Sequence, residues 1–136
     1  MDKTKQPGIR FDAIILANIS FSRKPEIPDA LKITVDFQAE RYFDDLKGTL
    51  KISTILKMQK ETELYAELET KHVGIFSTDS TENMTMEEFL GCNGPALMFP
   101  YIRECIMDIT SKAGMTPVIL PPMNIVAMLK DNEACK

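Results

Sequence analysis

The chain reads as an α+β domain: a four-stranded antiparallel sheet followed by a long helix and a short C-terminal helix. Two observations predict this. From Ile9 to about Phe76 the apolar residues alternate with period two, in four runs joined by short connections. From Thr85 onward they recur every three or four residues instead. Strands first and helices after is an α+β pattern. The length of 136 residues, with 44% apolar and 26% charged, fits one domain with its own core. Residues 1–8 read as a flexible N-terminal tail, 9–130 as the domain and 131–136 as a short C-terminal tail.

The first strand, from Ile9, carries Phe11, Ala13, Ile15, Ala17, Ile19 and Phe21 on one face. Ile14 and Leu16 lie on the other, so the strand is expected to be covered on both sides. Pro25 and Pro28 make residues 22–30 a connection. The second strand turns Leu31, Ile33, Val35, Phe37 and Ala39 inward, with Lys32, Thr34, Asp36, Gln38 and Glu40 outward. Asp44 to Gly48 reads as a turn. Leu50, Ile52, Leu56 and Met58 then face inward on the third strand. On the fourth, Leu64, Ala66 and Leu68 face in, and Glu63, Tyr65, Glu67, Glu69 and Lys71 face out. The apolar phase then moves to Val73 and Ile75 around Gly74, which predicts a bulge.

Thr85-Met86-Glu87-Glu88 has capping-box spacing and opens a short helix. A longer helix is expected over 96–113, with Met98, Ile102, Cys105, Ile109 and Ala113 as its buried stripe. Asp108 and Lys112 pair on its other side, and Gly114 stops it. Pro100 marks either a kink or the true start. A loop with Pro117, Pro121 and Pro122 leads to a short helix at Asn124–Leu129.

The net charge of −4 argues against nucleic-acid binding, which needs a basic stripe. No apolar run reaches the length of a membrane span, and the N-terminus is polar, so a cytoplasmic location is expected. Three cysteines without a CxxC pair fit reduced thiols. The single histidine, His72, lies in phase with Leu68 and Thr70 and reads as a sheet or interface residue. A His72-dependent hydrolase is the enzyme alternative, though the expectation is no catalytic residue. One His and scattered Cys supply no metal-ligand set, and no phosphate-binding glycine motif occurs, so no metal or cofactor is expected. The phase of Cys105 makes it packing rather than a reactive thiol.

Nine methionines and no tryptophan fit either an adaptable apolar surface or a Met-rich core. Pro95 and Pro100 bracket Ala96–Phe99, and Met115, Val118, Ile119 and Leu120 sit in the Pro-rich loop. These segments either form a groove for extended apolar peptide or close the core.

The stretch "LMFPYIRECI" (97–106) resembles the segment that opens the long helix of SecB, the bacterial export chaperone. "LPPMNIVAML" (120–129), "VGIFS" (73–77) and "NISFS" (18–22) are similar to further SecB stretches in the same order. The resemblance implies an ATP-independent holdase without cofactor, a homo-oligomer (dimer or tetramer) and unfolded client polypeptides as partners, with delivery to the translocase motor SecA. It places the peptide groove at Val35, Phe37, Phe76, Leu97, Phe99, Met115, Leu120 and Met123. It places subunit contacts at Leu68, Thr70 and His72, with Cys105 and Ile109 on the assembly helix. Glu69 matches an acidic SecA-docking position, whereas Asn18 and Ser22 stand where the export chaperones carry acids. A SecB-like chaperone dedicated to a toxin–antitoxin client, and a structural adaptor without chaperone activity, are the alternatives.

Overall fold

Alternating apolar residues give each strand one face to bury, and two helices cover that face. The structure, a computed structural model, describes residues 8–80 and 84–129; apart from Gly8, the two predicted tails lie outside them. The elements are β1 (Ile9–Arg23), β2 (Lys32–Phe43), β3 (Lys47–Lys60), β4 (Glu63–Thr78), α1 (Met86–Cys92), α2 (Gly94–Lys112) and α3 (Ile125–Met128). The sheet is antiparallel with order β1-β4-β3-β2. Consecutive β2, β3 and β4 form a meander, while β1 returns to pair with β4. Both β1 and β2 are therefore edges.

The inward positions of β3 and β4 are buried, from Leu50, Ile52, Leu56 and Met58 to Ala66, Leu68 and Phe76. Met98, Ile102 and Ile106 of α2 and Met86, Phe89 and Leu90 of α1 complete this core. Phe76 stacks on Phe11 with ring centroids 4.9 Å apart and meets Phe89 edge-on at 5.4 Å. Phe37 meets Phe99 edge-on at 6.3 Å, bringing β2 to α2.

Three expectations are corrected. The first is the face of β1. Its register against β4 shifts between Phe11 and Ala13 and again between Leu16 and Asn18. Each shift adds one residue and moves the rest of the strand to the opposite face. Phe11, Ile14, Leu16, Ile19 and Phe21 thus share the face of Phe76, Gly74, His72, Thr70 and Leu68. Ala13 and Ile15 lie on the other face, beside Ile75 and Val73.

The second is the bulge at Gly74. β4 runs in unbroken register with β3 from Ser77 to Ala66. Gly74 simply keeps the inward phase without a side chain, because a Cβ there would lie 2.8 Å from Met98 Sδ. Val73 and Ile75 occupy ordinary outward positions. The irregularity of β4 lies nearer its start: between Met58 and Gln59 its register with β3 shifts by one residue at Tyr65, so Leu64 pairs with outward Gln59 and is 37% exposed, where the pattern had turned it inward.

The third is the stripe of α2. The helix starts at Gly94, with Pro100 inside it. It buries Met98, Ile102, Ile106 and Thr110, four residues apart, and leaves Cys105 and Ile109 half-buried at one side. A three-or-four pattern admits both Cys105 and Ile106, and the larger aliphatic side chain takes the centre.

Buried Thr110 then joins helix to loop. Its hydroxyl donates to the Ile106 carbonyl at 2.8 Å and accepts the Val118 N–H at 2.9 Å. Gly114 ends α2 at φ 74, and the Met115 N–H reaches back to the Thr110 carbonyl at 3.1 Å. Arg23 donates to the Ala113 carbonyl at 2.8 Å and to the Pro25 carbonyl at 2.8 Å. The end of β1 is thereby tied to the negative end of the helix dipole. Thr85 caps α1 as expected, accepting the Glu88 N–H at 3.1 Å, and Lys112 pairs with Asp108 at 3.0 Å.

Thr110→Val keeps the shape but strands the buried Val118 N–H. Chemical denaturation at fixed protein concentration is expected to show a loss of about 1–3 kcal/mol; an unchanged midpoint would show that the loop does not depend on this bond.

Candidate functional site

Apolar side chains that the helices fail to cover gather in two places. One is a cleft of about 500 Å³ between the Pro-rich loop, the β1–β2 connection and the start of β2. Ile27, Pro28, Leu31, Ile33, Met58, Met115, Val118 and Ile119 line it, with Asp29 as the one acid. Ile119 is 67% exposed and Ile33 46%. The loop is held in place from beneath by the Thr110–Val118 bond, by buried Val118 and Leu120, and by Asn124, which caps α3 by accepting the Ala127 N–H at 3.2 Å. A cleft built on a pinned loop keeps its apolar wall open to solvent.

The other lies between β1 and α2. Ile14, Leu16, His72, Tyr101, Glu104, Cys105 and Asp108 line a depression of about 290 Å³. The next stretch of the same strand and helix adds Ile19, Phe21, Arg23, Ile109, Lys112 and Ala113 around about 410 Å³. Leu16, Ile19 and Tyr101 are large and exposed on this face.

The residues expected in the groove divide. Met115 lines the cleft, and Val35 and Met123 are half-buried. Leu97 is 42% exposed on α2. Phe37, Phe76, Phe99 and Leu120 are buried in the protomer core. Pattern reading put Ile33 on the inward face of β2 and Ile119 in a loop that either walls a groove or closes the core; neither was among the groove residues that the resemblance implied. Their signal was position: an edge strand and a loop that cannot itself be buried.

The expected assembly residues divide likewise. Leu68, Thr70 and His72 are buried on the helix-facing side of β4. Thr70 Oγ1 and His72 Nδ1 have no hydrogen-bond partner. Cys105 and Ile109 are half-buried and line the two β1–α2 depressions. Burial, then the charges of Asp108 and Glu104, push the Cys105 thiol above its ordinary pKa. Burial alone pushes the His72 imidazole below its ordinary value of 6.5.

Glu69 is half-buried on the opposite, outward face of the sheet, beside Ser20 and Ile55. Asn18 lies there against Lys71, and Ser22 against Glu67. Lys57 approaches Glu67 at 4.0 Å, so basic and acidic side chains alternate on this face. No group of metal-ligating side chains occurs among the described residues, and no helix among them is long and apolar enough to cross a membrane.

The family description "SecB: Preprotein translocase subunit SecB" matches residues 4–136. A protein-export protein SecB from Nitrosospira multiformis is 27% identical over 138 residues, covering 93% of this chain and 84% of that protein. Its counterpart in Chromobacterium violaceum is 27% identical over 141 residues, covering 95% and 90%. An uncharacterised protein of Methanocaldococcus jannaschii is 27% identical over 143 residues, covering 100% and 92%. Among solved structures, a SecB-like chaperone of Mycobacterium tuberculosis in complex with an antitoxin peptide matches with a TM-score of 0.73 at 21% identity, covering 85% of this chain and 90% of that one. At that identity the likeness establishes the shared fold.

His72 gives the protein a pH dependence of known sign. Its folded-state pKa is lowered, so the unfolded chain takes up the proton first. Stability is full above the usual imidazole pKa and falls as pH drops through it toward the folded value. His72→Gln is expected to flatten the urea midpoint between about pH 7.5 and pH 5.5; an unchanged slope would show that His72 stays neutral without cost.

Proposed function

The chain belongs to the SecB family, and from that premise we propose that it is an ATP-independent holdase. It keeps client chains unfolded by covering their apolar segments. The observation that carries this reading is the open apolar cleft beside β2, with Ile33 and Ile119 turned to solvent. Large exposed aliphatic side chains on a fixed loop bind extended apolar peptide with little sequence demand, because area removed from water is what stabilises the complex. Met115 and Met58 in the same cleft adapt to side chains of different shape. Met115, Val35, Met123 and Leu97 are the groove residues open enough to meet a client directly; Phe37, Phe76, Phe99 and Leu120 support them from the core.

Assembly belongs to the same proposal. The β1 edge and the adjoining α2 face expose Leu16, Ile19 and Tyr101, a surface that a second copy would cover. Cys105 and Ile109 lie on this face, and His72 lies at its floor. Leu68 and Thr70 act through the packing beneath.

Delivery to SecA is the finer question. Glu69 offers one acid on the outward face, but Asn18 and Ser22 add none and Lys71 sits among them. This mixed charge favours a second reading, a SecB-like chaperone with a dedicated client such as an antitoxin. Loss of attractive charge weakens encounter with a basic partner. Binding of SecA compared with binding of a generic unfolded client separates the two readings.

Light scattering of an aggregating client is expected to fall when the protein is added at equal molar ratio; no suppression would sink the holdase reading. Ile119→Asp is expected to weaken client binding about ten-fold, roughly 1.4 kcal/mol, while stability stays within about 0.5 kcal/mol. Sedimentation at micromolar concentration is expected to give a dimer or tetramer, and a strict monomer would contradict the assembly.

A further inference from the structure

We propose that His72 and Glu104 form a reciprocal hydrogen bond between two copies of this chain, each imidazole donating to the carboxylate of the other copy across a two-fold axis. This rests on the assembly reading above and goes beyond it by naming the polar pair that sets the docking register. Both residues line the depression between β1 and α2. His72 is 4% exposed, and it makes no hydrogen bond within the protomer. Burial is the one influence on its pKa, so no carboxylate of its own protomer reaches the ring. The neutral imidazole that burial favours carries a single proton. With Nδ1 enclosed and unpartnered, that proton belongs on Nε2, the nitrogen that is not enclosed. The result is a donor at an apolar wall, beside Ile14 and Leu16, with nothing in the protomer to accept from it.

An acceptor without a donor lies on the same surface. Glu104 is exposed and enters no ion pair or hydrogen bond. The cations near it on α2 are engaged: Lys112 holds Asp108 at 3.0 Å, and Arg103 lies over the Phe99 ring at 5.8 Å. Glu104 and Asp108 are like charges four residues apart on one helix, a repulsion that an added donor relieves. Within one protomer the two halves do not meet. A two-fold contact sets one patch against itself, so each half finds its complement on the other copy. A partner of another kind would have to bring a carboxylate and a donor together; a second copy already carries both. Leu16 and Tyr101, each 47% exposed, are covered in the same contact, which dries the pair and strengthens it.

The test uses the full chain. By sedimentation, His72→Gln and Glu104→Ala are each expected to weaken self-association about a hundred-fold, because each removes both pairs and one pair contributes about ten-fold. The double variant is expected to associate no more weakly than either single one. Mixing the two variants is the sharper measurement. A His72→Gln chain bound to a Glu104→Ala chain keeps one intact pair, whereas each variant bound to itself keeps none. Native mass spectrometry with one variant isotope-labelled is expected to show about nine-tenths mixed dimers against the statistical half. Independent structural damage in the two variants gives no such excess. A statistical mixture overturns the proposal. Glu104 is exposed, so Glu104→Ala tests the pair even if His72→Gln fails to fold; self-association as tight as that of the unaltered protein overturns it. Weaker client binding by both variants, with self-association unchanged, would assign the depression to a client and overturn it as well. A strict monomer removes the assembly reading, and this one with it, while the holdase reading stands.

Discussion

One helix is narrower than a four-stranded sheet, and the rest of the structure depends on that mismatch. A helix with its side chains spans about 10–12 Å, while neighbouring strands lie about 4.8 Å apart. α2 therefore covers the two central strands and little more. The inward residues of β3 and β4 are almost all buried, whereas β1 has no buried residue and β2 has only Phe37. The short α1 and the Pro-rich loop extend the cover, but they leave an apolar margin at each edge. One margin is the cleft beside β2, and the other is the β1–α2 face. The open apolar surface of this fold lies where the core runs out of covering material.

Much of the architecture was legible because period is a local property. Strand alternation identified the inward faces of β2, β3 and the middle of β4, though not Leu64 before the shift at Tyr65, and Thr85 and Gly114 marked helix ends by chemistry that acts within one turn. The features that were not legible depend on partners. The two extra residues in β1 are invisible along the strand, since Phe11-Ala13-Ile15 and Ile14-Leu16 alternate equally well. Only pairing with β4 decides between them. Gly74 misled for a related reason: a missing side chain breaks the apparent phase, yet the space it leaves is filled by Met98 from a distant helix. On α2 the choice between Cys105 and Ile106 was decided by the shape of the sheet beneath.

The candidate site shows the same division. That the loop and the start of α2 would carry apolar surface was written in their prolines. Which aromatic residues lie open and which face the core was not, because Phe37 and Phe99 satisfy each other across the interior. Short-range pattern identifies apolar material; long-range contact distributes it.

The two register shifts in β1 carry a consequence for colloidal behaviour. A straight edge strand is a template on which extended chains add one after another. Each extra residue bends the strand and interrupts its row of amides. Only a partner with a matching bend can continue the sheet. The bulged edge is thereby a poor seed for open-ended polymerisation.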